Sequence, residues 1–134
     1  MKKSIVYLGV ALVTFSTVSY ASNHNSFTQK EINHSIYEGV TPLCMAIYKG
    51  EIDLVKKLIV YGIDVNEKSN GLTPLMIAAR YNKVEIIKLL LANGAHLKEK
   101  NEIGVNALKY AQISNAKESV VFFKLSESKA IASL

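Results

Sequence analysis

Apolar side chains between residues 41 and 125 fall in short blocks with helical spacing, and each of the first four blocks is followed by a glycine or an asparagine. Leu43, Ala46 and Ile47 stand at i, i+3 and i+4, one face of a short helix. A second block, Ile52 to Val60, keeps the three-and-four spacing. The stretch 63–72 is polar and turn-rich, which suits a hairpin. The same order then returns. Leu75 and Ala78 open a short helix, 84–92 forms a second one, and 95–105 is again turn-rich.

The punctuation repeats with the pattern. Gly39-Val-Thr-Pro-Leu-Cys-Met-Ala46 is echoed by Gly71-Leu-Thr-Pro-Leu-Met-Ile-Ala78, 32 residues on. Each matched residue has a physical task. Thr41 and Thr73 can accept a bond from an early helical N–H. Pro42 and Pro74 then sit at the first helical position, where a missing N–H costs nothing. Gly50 and Asn82 can close the first helix through a left-handed residue, and Gly62 and Gly94 can close the second. Glu67/Glu99 and Lys68/Lys100 also match. A third copy follows 33 residues later, Gly104-Val-Asn-Ala-Leu-Lys-Tyr-Ala111, with Asn106 as the cap. Its second helix is expected over 117–125 with Val120, Val121 and Phe123 inward, and no glycine closes it. The tail 126–134 either extends that helix or frays.

Helix, turn, helix and hairpin at about 33 residues, opened by T-P-L-x-x-A, resembles the ankyrin repeat. The resemblance covers residues 39 to 100 and continues into the third copy. The family usually has His after T-P-L; here the residues are Cys44 and Met76. The first hairpin is one residue short of the usual period. The resemblance implies an all-α solenoid of helix-turn-helix units with short β-hairpin loops. Repeats are expected at 39–68, 71–100 and 104–125, the last a degenerate C-terminal cap with a polar outer face.

The segment before the repeats reads differently. Met1-Lys2-Lys3 is positive, residues 4 to 21 carry no charge, and Ser19-Tyr20-Ala21 offers small residues where a signal peptidase reads. A secretory signal peptide cleaved near Ala21 is expected; a retained anchor is the competing reading, weakened by Thr14, Ser16, Thr17 and Ser19. The Met-Lys-Lys start and the lysine-rich composition look bacterial, so the destination is the periplasm or the outside. Beyond a polar leader, Phe27, Thr28, Glu31 and Ile32 fit a capping box with a hydrophobic staple, which places an N-terminal capping helix before the first repeat, within 22–37.

Charge and chemistry narrow the class. Taking Lys2 and Lys3 from the 16 basic residues leaves 14 against 11 acidic ones, a net +3. The charges are scattered, so no nucleic-acid stripe is expected, and no membrane partner after cleavage. Cys44 is the only cysteine and should be a buried hydrophobe. His24, His34 and His96 lack metal-ligand spacing. His96 is expected to bond backbone near the hairpin base. Glu51, Asp53 and Glu85 lie at second-helix starts, where the helix dipole favours them. No nucleophile elbow or phosphate loop is present. The expectation is a monomeric, non-catalytic protein-binding module without cofactor or metal. A more specialised version is an inhibitor or protective subunit of an exported enzyme or toxin.

By the same resemblance, the contact positions flank the T-P-L motif on a concave surface. They are Val40, Tyr48 and Lys49 in the first copy, and Ser69, Asn70, Leu72, Arg80 and Tyr81 in the second. In the third they are Glu102, Ile103, Val105 and Ile113. Tyr48, Arg80 and Tyr81 are the types that dominate interface energies.

Overall fold

The computed structural model describes residues 38–134. The expected signal peptide, the leader and capping helix at 22–37, and His24 and His34 lie outside the described residues. Six helices follow in order: α1 Pro42–Lys49, α2 Ile52–Val60, α3 Pro74–Arg80, α4 Val84–Ala92, α5 Ala107–Ile113 and α6 Lys117–Ala132. The odd-numbered helices stack on one another, α1 on α3 and α3 on α5. The even-numbered ones form the second layer, α2 on α4 and α4 on α6.

The ends of these helices follow from single residues. The Thr41 hydroxyl accepts from the Cys44 N–H at 3.3 Å, the Thr73 hydroxyl from Met76 at 3.2 Å, and the Asn106 side chain from Lys109 at 2.9 Å. Gly50, Asn82 and Asn115 leave the first helices at φ 76°, 55° and 55°. Gly62 and Gly94 leave the second helices at φ 86° and 91°. There the next residue's N–H reaches back five residues, Ile63 to Leu58 and Ala95 to Leu90.

The two hairpins explain the unequal spacing of the copies. The first is a two-residue turn, Asn70-Gly71, with both residues at positive φ. Ser69 and Leu72 exchange both backbone bonds across it, at 2.9 and 3.0 Å. This is the Asn-Gly type I′ turn, whose twist matches flanking extended chain. The second hairpin takes three residues, 102–104, and ends on Gly104 at φ 78°. Asn101 brackets it, accepting from Gly104 and donating to Val105. The extra residue is the difference between 32 and 33. Pairing stops after one bridge, so the loops contain no strand among the described residues.

The core is a single apolar cluster running between the layers. Leu43, Ile47, Val55, Leu75, Met76, Ile87, Leu90 and Phe123 are fully enclosed. Leu90, from the middle copy, is among them. Cys44 is buried with them, and burial pushes its thiol up although the hydroxyls of Thr41 and Ser69 oppose the shift.

Two expectations need correction, and one left open is decided: the last helix runs to Ala132, so the tail extends it. Without a glycine nothing turns the chain, and the Ser126, Ser128 and Ser133 hydroxyls donate to carbonyls within the helix. Val121 points outward, 56% exposed, while Phe123 fills the core; the two helical positions between them turn about 200°, to the opposite face. The exposed side of this last helix is mixed rather than polar, since Val121, Leu125 and Ile131 are exposed on it together with Lys124 and Lys129.

Candidate partner-binding surface

The C-terminal ends of the inner helices bring three of the expected residues together. Tyr48 ends α1 in the register that Arg80 occupies on α3. Tyr81 follows one residue later and therefore reaches diagonally toward the previous repeat. The Tyr48 and Tyr81 rings meet edge to face, centroids 5.0 Å apart at 83°, a favourable arrangement for aromatic quadrupoles. The Arg80 guanidinium lies 5.8 Å from the Tyr81 centroid. Both rings stay accessible, Tyr48 at 54% and Tyr81 at 41%.

Arg80 forms no ion pair among the described residues, and neither does Lys49. The idea that Arg80 is spent on a neighbouring surface acid therefore has no partner there. A further cation joins the group that the pattern of repeats did not single out. The Lys83 ammonium sits 2.9 Å from where a Cβ on Gly50 would lie. The signal for it was the glycine itself: of the three first-helix exits only that at residue 50 is bare, Asn82 and Asn115 filling the others, which leaves room for a side chain from the next repeat. Ile113 stands in the register of Arg80 on the third copy and is exposed.

The hairpin residues divide. Glu102 and Ile103 sit exposed at the tip of the second hairpin. Asn70 is exposed at the tip of the first, its side-chain oxygen against Gly39. Val40, Leu72 and Val105 are half-buried, and Leu72 packs against the core. Ser69 is not available to a partner. It is 3% exposed, and its hydroxyl donates to the Gly39 carbonyl at 3.1 Å and accepts from the Thr41 N–H at 3.4 Å. It ties the first hairpin, where the second copy begins, back to the start of the first copy.

Polar ties continue along the stack. Asn66 donates to the Gly94 carbonyl at 3.1 Å and accepts from the His96 N–H at 3.0 Å. The His96 ring, expected against backbone, instead faces Glu99 at 3.4 Å. Lys68 reaches the same carboxylate at 3.0 Å and is the main reason that Glu99 is held below the usual carboxylate range. No group of three or more His, Cys, Asp or Glu converges to hold a metal among the described residues. No helix among them is long and apolar enough to cross a membrane.

The comparisons agree with this architecture. A family model described as ankyrin repeats (3 copies) matches residues 12–101 and again 43–128. A search of curated proteins gave no match. The first match begins ahead of α1, and together the two span most of the sequence. With its capped helix pairs, its glycine exits and its stacked layers, the chain belongs to the ankyrin-repeat family, whose repeats are modules of protein–protein interaction.

Proposed function

We propose that this protein is an exported, non-catalytic adaptor that grips a partner polypeptide at the surface centred on Tyr48, Arg80 and Tyr81. The observation that carries the reading is the aromatic pair with an arginine held beside it and no acid assigned to that arginine. Tyrosine and arginine concentrate interface energy, especially near the centre of a contact. Tyr81 and Arg80 belong to the middle copy. Rings already packed on each other lose little freedom on binding, which leaves more of the contact energy for affinity. Export rests on the charged start, the uncharged run and Ser19-Tyr20-Ala21.

The test is a pull-down with the mature chain and with an Arg80→Ala/Tyr81→Ala variant whose melting is unchanged. The wild type should retain a partner that the variant loses. Equal retention by both would move the site to another face. A single stoichiometric exported enzyme among the captured proteins would refine the reading to an inhibitor or protective subunit. N-terminal sequencing of exported protein should begin at Ser22, within a residue; a chain starting at Met1 in the membrane fraction would overturn export.

A further inference from the structure

We propose that the partner presents an acidic segment carrying an aromatic or aliphatic side chain, which docks across Tyr48 and Tyr81 with its carboxylates on Arg80, Lys49 and Lys83. The proposal rests on the reading of this surface as a protein-binding one and adds the chemistry of the occupant.

Three observations carry it. The inner helices α1, α3 and α5 contain Lys49, Arg80 and Lys109 and no Asp or Glu at all. Arg80 lies beside the Tyr81 ring, Lys49 follows Tyr48 in the chain, and Lys83 reaches back to Gly50 just beyond it; none of the three is in an ion pair among the described residues. The tyrosines are half-exposed, which leaves apolar area open beside Arg80. Positive charges that face solvent without counter-charges create a field that attracts and orients acidic partners. Arg80 adds geometry, since a guanidinium beside a ring keeps its fork of donors for a carboxylate, which it can bind with two parallel bonds.

A plainer account is that Lys49 and Arg80 lie in the last turns of their helices, where the dipole favours a cation. That account covers neither Lys83, which precedes a helix, nor the exposed aromatic pair. A nucleic acid is the other polyanion to consider. It needs a continuous basic track along its backbone, whereas the exposed Glu102 stands at the tip of the second hairpin and Glu99 lies near its base.

The experiment is selection of random twelve-residue peptides displayed on phage against the purified protein. Synthetic peptides of the enriched sequence are then titrated against the wild type, Arg80→Gln and Tyr81→Ala. The expected binders carry a clear excess of Asp and Glu around an aromatic or aliphatic residue. Their affinity should fall about tenfold or more in Arg80→Gln and weaken as salt screens the charges. A twelve-residue oligothymidine should not displace them. Uncharged or basic binders that still need Tyr81 would overturn the acidic preference and leave the interaction surface standing. Acidic binders indifferent to both substitutions would overturn the placement of the site on this surface, and with it the proposal. Failure to enrich any peptide, or displacement by the oligothymidine at similar concentration, would also overturn the proposal.

Discussion

Asn82 caps a helix that begins 35 residues after it. Its Oδ1 accepts from the backbone N–H of Ser119 at 3.0 Å and from the Ser119 hydroxyl at 2.9 Å, while its Nδ2 donates to Glu118. The N-cap residue of α6 is Ala116, which has no side chain able to do this. The middle repeat therefore supplies the cap that the last repeat lacks, and the order of the stack is written into one side chain.

Replacing Asn82 separates its two tasks. Asn82→Gly keeps the left-handed exit at φ 55° and removes only the cap. It should cost about 1–2 kcal/mol, because the Ser119 N–H loses its partner in a site where Ser119 is fully buried. Asn82→Ala should cost more, since alanine strains at that φ. Urea unfolding of the two variants checks this. An Asn82→Gly protein as stable as the wild type would mean that the capping bonds contribute nothing, and equal stabilities of the two variants would mean the same of the strain.

Ser69 gives a second test, and it discriminates between structure and binding. With the hydroxyl enclosed between Gly39 and Thr41, Ser69→Ala leaves a carbonyl and an N–H without that partner. The expected cost is about 1–3 kcal/mol, with the captured partner unchanged once the protein is folded. Loss of the partner with full stability would restore Ser69 to the binding surface.

Leu90 is enclosed completely, on the helix of the middle copy that packs against the second helices of both neighbours. Leu90→Ala should cost about 2–5 kcal/mol and, in a stack where each repeat depends on its neighbours, unfold much of the domain. A loss below about half a kcal/mol would contradict the stacking, and calorimetric melting reads it directly.

The Lys68–Glu99 pair predicts a small pH effect with a definite sign. The carboxyl of Glu99 is lowered in the folded protein, chiefly by Lys68. A group whose folded value is depressed stabilises above its unfolded value, about 4.3 for Glu. It loses that contribution as pH falls through the folded value. Stability should thus decline on acidification from roughly pH 5 to 3, and Lys68→Ala should flatten that part of the curve. Both side chains are partly exposed, so the amplitude should be under about 1 kcal/mol. An unchanged slope in the variant would assign the decline to other carboxylates.

Local devices were legible before any coordinates, and contacts between repeats were not. Thr41, Pro42, Gly50 and Gly62 act on neighbours a few residues away, so their types reveal their tasks, and the bounds of α2 and α4 followed. The surface triad was legible too, because register places Tyr48, Arg80 and Tyr81 at successive helix ends. Ser69 and Asn82 look like ordinary turn polars, yet their partners lie 28 to 37 residues away. Periodicity aligns such positions without saying what touches them. The Ser-rich stretch after residue 125 left extension and fraying open, because its hydroxyls bond within the helix in a way that composition does not display.

That last helix allows a final prediction, in which length and burial oppose each other. Residues 128–134 form more than a turn of α6 and its end, and every one of them is exposed. Phe123 is fully enclosed and meets Phe122 edge to face, centroids 6.0 Å apart. If burial decides stability, removing 128–134 should change it by no more than about 0.5 kcal/mol, the range of surface changes. Phe123→Ala alone should cost about 3–5 kcal/mol. Removing 106–134 should do worse than either, baring the apolar side of the middle repeat and giving an aggregating product. If the seven-residue truncation proved as damaging as Phe123→Ala, the exposed end of α6 would have to be covered in the folded protein. The exposed apolar residues Val121, Leu125 and Ile131 would then be the first place to look for the cover.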